Sequence, residues 1–333
     1  MNLKVAILGA GNMGKCHGNS LIKLGVEITA VCDINENARK VFKEYLKSPS
    51  IIEYACFDKM IEEVEFDVLF ICLPPFAQNG QFQKAAKAGK HIFIEKPIAL
   101  TTEEGKQMVE TASEMGIITQ VGFHMRWGSA VKRLMNMIQS GEAGRPVLFN
   151  GQYECNSLHT QWWINVNKSG GQIFEQAIHI YDTCRYLLGH PKSVSAIMSN
   201  VCHNHIHDYT VEDVSASNAG FTNGAISSIT ATNCAVPGLW EEKFTVVFEK
   251  VTVFFQNPNK ARFAFVEGDN VRYEEVNEYI DMKLDEVKDF IDAVNNHKQS
   301  YCSIEEGYLS LCYVEAVVNS AKQDGVKVPV SSL

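Results

Sequence analysis

A chain of 333 residues, 46% hydrophobic and 21% charged, has room for two domains with a core each. Its formal net charge of −9 and pI near 5.6 argue against nucleic acid or an anionic membrane surface as its main partner. No apolar run approaches the length of a membrane span, and Met-Asn-Leu-Lys leads straight into a strand-like run, so no signal peptide is expected. The ten cysteines form no C-x-x-C pair and several, such as Cys32, Cys72 and Cys312, sit inside apolar runs, the usage of reduced thiols in a cytoplasmic protein.

The first predicted strand, 3–8, runs into Gly9-x-Gly11-x-x-Gly14, and a helix-like segment from Asn12 to Leu24 follows directly. In a dinucleotide-binding turn the first glycine allows the tight turn, the second the approach of backbone to pyrophosphate, and the third the helix–strand contact. The helix N-terminus then offers N–H groups and a positive dipole end to phosphate. A second strand, 26–33, ends on Asp33, nineteen residues past Gly14, where a carboxylate can accept hydrogen bonds from the adenosine ribose hydroxyls and repel a 2′-phosphate. Ile34 and Asn35 follow, so no arginine stands directly beside the acid, and NAD is favoured over NADP.

Further strands are predicted at 53–57, 67–73, 91–95 and 117–122, with helices between them, including Phe76 to Ala88 and Thr101 to Met115. The last opens Thr101-Thr-Glu-Glu104, a capping box in sequence. Repeated βα units predict a doubly wound parallel sheet, a Rossmann domain over 1–122. From 123 to 333 the rhythm changes. Helices at Ser129–Ser140 and 173–188 flank a strand at Pro146–Tyr153. Strands then follow at 193–200, 213–221, 225–232, 243–248, 251–256, 263–266 and 271–276, and helices at 282–296 and 304–323 close the chain. This is an α+β domain with a large, mainly antiparallel open sheet and helices on one face.

Three clusters carry candidate chemistry. Glu95-Lys96-Pro97 closes the strand His91-Ile-Phe-Ile, which puts Lys96 on the rim where such sheets bind ligands; a proton acceptor for a substrate hydroxyl and an exposed lysine before a turn are both open on spacing alone. In Gly170-Gly-Gln-Ile-Phe-Glu175-Gln-Ala-Ile-His179-Ile-Tyr-Asp182, the polar residues fall at i, i+4 and i+7, a line along one helix face in which a carboxylate can fix a histidine's tautomer. A buried structural histidine is the competing reading. Cys202-His-Asn-His-Ile-His207-Asp208 holds three histidines, but between two strands it reads as a polar loop tip, and no metal centre is expected. Trp162-Trp163 could stack on a sugar or belong to a core.

Together, Gly9-Ala-Gly-Asn-Met-Gly14, Asp33, Cys72-Leu-Pro-Pro75, Glu95-Lys-Pro97, Val121-Gly-Phe, the Gly-Gly…His179…Asp182 helix and Val211-Glu-Asp213 resemble the Gfo/Idh/MocA oxidoreductase family, which includes glucose–fructose oxidoreductase and inositol dehydrogenase. The resemblance implies NAD-dependent transfer of hydride from a hydroxyl of a sugar, inositol or similar polyol, with Lys96 as the catalytic lysine, His179 as the active-site histidine and Glu175 assisting. It implies that Gly9, Gly11, Asn12, Met13, Gly14, Asp33, Leu73, Pro74, Glu95 and Lys96 lie along the cofactor, and that Trp162, Trp163 and Asn165 approach substrate. Family members commonly assemble as dimers or tetramers through the second domain's sheet. One departure stands out: Glu175 occupies the place where many members have Asp. Two rival readings are an enzyme that uses NAD only for transient oxidation in glycoside cleavage or elimination, and a non-catalytic NAD-binding sensor or scaffold.

Overall fold

In the computed structural model, which describes residues 3–158 and 160–333, the first part of the chain alternates strand and helix as its apolar runs require. The order is β1 (Lys4–Leu8), α1 (Asn12–Lys23), β2 (Glu27–Cys32), α2 (Glu36–Leu46), β3 (Ile52–Tyr54), α3 (Phe57–Glu63), β4 (Val68–Ile71), α4 (Gln81–Lys87), β5 (His91–Ile94), α5 (Thr102–Met115) and β6 (Thr119–Val121). The six strands pair in parallel in the order β3-β2-β1-β4-β5-β6. Val68 to Ile71 and Ile92 to Ile94 are buried, the signature of strands covered on both faces. The chain winds outward from β1 through β2 and β3, then crosses back to β4. Ligands of such sheets bind outside the carboxyl ends of the strands at that reversal.

Helix boundaries follow local chemistry. The Thr101 hydroxyl accepts from the Glu104 N–H at 3.2 Å, so the predicted cap at the start of α5 is made. The helix expected over Phe76–Ala88 is instead a 3-10 turn at Pro75–Ala77 followed by α4, because Gln78 is extended and Gly80 left-handed between them.

The rest comprises α6 (Ser129–Gln139), β7 (Pro146–Cys155), α7 (Val166–Ser169), a π-helical turn at Ile173–Ala177, α8 (Ile178–Leu188), β8 (Pro191–Ser199), β9 (Val214–Phe221), β10 (Ile226–Thr232), β11 (Trp240–Phe248), β12 (Val251–Asn257), β13 (Lys260–Glu267), β14 (Asn270–Asn277), α9 (Met282–Asn295), α10 (Ile304–Ala321) and β15 (Val328–Pro329). Nine strands form one sheet, β14-β13-β12-β11-β7-β10-β9-β8-β15, antiparallel except for the parallel pair β7–β10. Alternation along β7 and β10 buries Phe149, Gly151, Tyr153, Ser227, Ile229 and Ala231 and leaves Asn150, Ile226 and Thr230 exposed. Among the described residues no helix is long and apolar enough to cross a membrane.

The chain divides into two compact units, but not at a single point near residue 122. Lys283–Tyr308 belong with the chain up to Phe123, and His124–Met282 pair with Leu309–Leu333. The reason lies in the apolar face of α9: Val287, Phe290, Ile291 and Val294 join one core cluster with Val5, Ile7, Phe70 and Phe93. Phe290 meets Phe70 and Phe93 edge-on at 5.9 and 5.8 Å, and the Gln120 amide donates to the Glu286 carbonyl at 2.6 Å.

Candidate active site

The turn after β1 is built for close backbone contacts. Gly9 has φ +102°, and a Cβ there would lie 2.5 Å from the Cys72 carbonyl oxygen. A Cβ on Gly14 would lie 2.0 Å from the Gly9 carbonyl oxygen, so only glycine lets α1 start this close to the turn. At Gly11, the N-cap of α1, a Cβ would meet nothing within 4 Å, and no side chain caps the helix. That is open space in front of the helix N-terminus, as a pyrophosphate requires. Asp33, at the end of β2, accepts from the Ala10 N–H through Oδ2 and from the Asn35 N–H through Oδ1, each at 2.8 Å. Its carboxylate is thereby fixed beside the glycine turn with acceptor capacity left on each oxygen. The residues present fit a dinucleotide.

One expectation needs correcting. No arginine follows Asp33 in sequence, yet the Arg39 Nη1 donates to the Asp33 carbonyl at 2.6 Å, because one turn of α2 brings it back. Its Nε lies 3.4 Å from Glu53, which also takes Lys43 at 3.3 Å.

Lys96 follows β5, on the same carboxyl-end rim, and its bond to Pro97 is cis. Beneath it lies a pair that sequence reasoning missed. The Glu95 Oε1 sits 2.6 Å from the Nε2 of His17 on α1, and both side chains are buried. The His17 ring packs on Phe93 and Phe70 at 4.7 and 5.7 Å. Burial pushes the Glu95 carboxyl up, but the hydrogen bond and charge of His17, with Lys96 and Lys283 adding to them, hold it below its ordinary value. The signal was legible: Gly14, His17, Gly18 and Leu21 form the buried stripe of α1, and a polar residue on such a stripe must find a partner.

In the second unit the expected line is altered between Glu175 and His179, because residues 173–177 form a π turn rather than α-helix, while His179 and Asp182 keep their i, i+3 spacing within α8. Glu175 accepts from the Trp163 indole N–H at 2.9 Å. His179 is buried at 7% exposure, and its ring meets that of His124 edge-on at 4.6 Å. Asp182 is engaged in a buried network. Arg126 binds it through two hydrogen bonds at 2.8 and 2.7 Å, the Ser310 hydroxyl donates at 2.7 Å, and Arg185 lies 3.6 Å away.

Trp163, expected to approach substrate, is fully buried in a cluster with Ile164, Tyr209 and Val211. It presents no face to a ligand and serves instead to hold Glu175. Asn165 is likewise occupied, its side chain capping α7 by accepting from the Asn167 N–H at 3.0 Å. Trp162 is only partly buried against this cluster. The start of the π turn is held by Glu212, whose carboxylate accepts from the Ile173 N–H at 2.7 Å, and burial pushes this carboxyl up to about 7 against that bond.

The model of an oxidoreductase family with an NAD-binding Rossmann fold matches residues 3–123, and that of the GFO/IDH/MocA C-terminal domain matches residues 131–254. A myo-inositol 2-dehydrogenase of Thermotoga maritima is 25% identical over 330 residues, 96% of this chain and 97% of its own. A scyllo-inositol 2-dehydrogenase (NAD(+)) of Bacillus subtilis is 32% identical over 191 residues, 56% of this chain and 54% of its own. A levoglucosan dehydrogenase solved with NADH and levoglucosan superposes with a TM-score of 0.91 over the full length of both chains at 23% identity, a likeness of fold.

Two outcomes are expected. Asp33→Asn removes the charge that repels a 2′-phosphate and leaves Arg39 nearby, so the NADP-to-NAD ratio of kcat/KM rises roughly tenfold or more, about 1.4 kcal/mol; initial rates with the two cofactors measure it. Glu212 stays protonated to about pH 7 in the folded chain, whereas an unfolded one ionises near its ordinary 4.5. The folded state therefore binds the extra proton across that interval, and stability falls by up to about 3 kcal/mol as pH rises through it. Glu212→Gln flattens that slope in denaturant unfolding series recorded across pH.

Proposed function

The chain belongs to the Gfo/Idh/MocA family of NAD-binding oxidoreductases, and on that premise we propose that it oxidises, or reversibly forms, a secondary hydroxyl of a sugar, inositol or related polyol. The observation that carries this reading is Lys96 at the carboxyl end of β5, on the same sheet rim as the glycine turn, with the preceding Glu95 clamped by His17. NAD, when bound, supplies the hydride acceptor, held by Gly9, Gly11, Asn12, Met13 and Gly14 at its phosphates, by Asp33 at its ribose, and along Leu73, Pro74 and Glu95. Lys96 takes the hydroxyl proton as the carbinol carbon is oxidised, and returns it in reduction.

For substrate binding we assign His179 and Glu175. His179 hydrogen-bonds a substrate hydroxyl, and Glu175, oriented by the Trp163 indole, receives another. Trp162 is the partly buried aromatic beside them, whereas Gln172 and Gln176 are buried like Trp163. The catalytic assignment predicts that Lys96→Met lowers kcat by 10²-fold or more, in the range of lost acid–base catalysis, while the dissociation constant for NADH, read by fluorescence titration, stays within about threefold. Near-normal turnover of Lys96→Met across sugars and cyclitols would remove the assignment. Stoichiometric appearance of NADH supports net dehydrogenation over transient oxidation.

We further propose a homo-oligomer formed through the open sheet face and a cytoplasmic location. The second rests on ten free thiols. Support for the first is the exposed face of β7, β9 and β10, where Asn150, Asn218, Ile226 and Thr230 are exposed beside half-buried Leu148, Ala216 and Ser228. Such a flat mixture of small and apolar side chains suits a second copy of the sheet. Light scattering should give a dimer or tetramer for the native chain and a smaller species for Thr230→Arg; a native monomer would overturn the assignment.

A further inference from the structure

We propose a structural binding site for a thiophilic divalent cation of the zinc class, held by the thiolates of Cys202 and Cys234, the Nδ1 of His203 and the carboxylate of Asp213. Ligand atoms of Cys202, Asp213 and Cys234 lie within 4.8 Å of one another. The His203 Nδ1 is 3.5 Å from Asp213 Oδ2 and 3.8 Å from Cys234 Sγ. Metal–ligand bonds of about 2.0 to 2.3 Å place tetrahedral ligand atoms roughly 3.3 to 3.8 Å apart, so the His203 spacings already suit one ion, and a rotation of the exposed Cys202 side chain completes the set.

The backbone supports the arrangement. Asp213 is fully buried, and its carboxylate accepts from the N–H groups of Val201, Cys202 and His203 at 2.7 to 3.0 Å. The loop that carries Cys202 and His203 is thus wrapped around a fixed negative charge. Cys234 arrives from the end of β10, where its N–H donates to the Thr232 hydroxyl and Thr232 in turn donates to the Asp213 carbonyl. Binding releases the two thiol protons to solvent and takes the imidazole neutral. Of the three histidines in the loop only His203 takes part; His207 is exposed and paired with exposed Asp208.

The site would stiffen the loop 200–213, whose Tyr209 and Val211 pack with Trp163, the residue that holds Glu175. It uses none of the groups assigned to hydride transfer.

The test uses the full chain, purified under reducing conditions, stripped with a chelator and titrated with Zn²⁺ or Co²⁺. Expected are one metal per chain by elemental analysis, thiolate-to-Co²⁺ charge-transfer absorption that Zn²⁺ displaces, and a higher melting temperature with metal. Cys202→Ser and Cys234→Ser should each weaken binding at least tenfold, and His203→Gln should weaken it while keeping the charge-transfer band, with circular dichroism unchanged in all three. Failure of the native chain to take up metal, equal uptake by the Cys202→Ser/Cys234→Ser double variant, or an intact mass lacking two hydrogens from a Cys202–Cys234 disulfide would each overturn the assignment.

Discussion

The nucleotide-binding unit depends on a carboxylate and an imidazole that neither could bury alone. Glu95 and His17 lie 2.6 Å apart inside a wall of Phe70 and Phe93. Burying either group without a partner is costly, and removing one member of a buried, hydrogen-bonded pair of this kind costs on the order of a few kcal/mol because the other is left stranded. The pair is therefore a poor source of stability and a strong source of geometry. It joins the second turn of α1 to the residue before Lys96, so the helix proposed to receive the phosphates and the lysine proposed to receive the proton are tied by one hydrogen bond.

The second unit solves the same problem differently. Asp182 is neutralised by Arg126 and braced by Ser310 and Arg185, which anchors α8 without using His179 or Glu175. Upstream, the π turn changes the angular spacing between residues 175 and 179, and Glu212 and Trp163 fix the turn from either side. The structural Asp182 and the candidate groups Glu175 and His179 thus sit within eight positions of each other and are distinguished by their partners.

What was legible follows from period and local chemistry. Buried parallel strands advertise themselves as short apolar runs, and the glycine turn with Asp33 is a local pattern whose geometry a backbone dictates. The capping of α5 by Thr101 was equally local. What escaped depends on groups distant in sequence or on departures from a regular helix. Nothing in residues 173–182 announces a π turn, so a straight 3.6-residue count set the spacing of Glu175 to His179 as in a regular helix. Trp163 reads alike as platform or core until its neighbours Tyr209 and Val211 arrive from about 46 residues further on. Arg39 reaches Asp33 only because α2 folds back, and the cysteines 202 and 234 meet only through the sheet.

The return of α9 to the first unit bears on how the chain is made. A ribosome releases β1 to β6 long before residues 283–308, so the sheet face bearing Phe70 and Phe93 must wait for Phe290 to seal it. Until then the nascent nucleotide-binding half carries an open greasy flank, a natural landing place for a holdase chaperone. For the same reason, a gene fragment stopping near residue 123 encodes a half-finished object, and autonomy of that unit begins only when residues 283–308 are present as well.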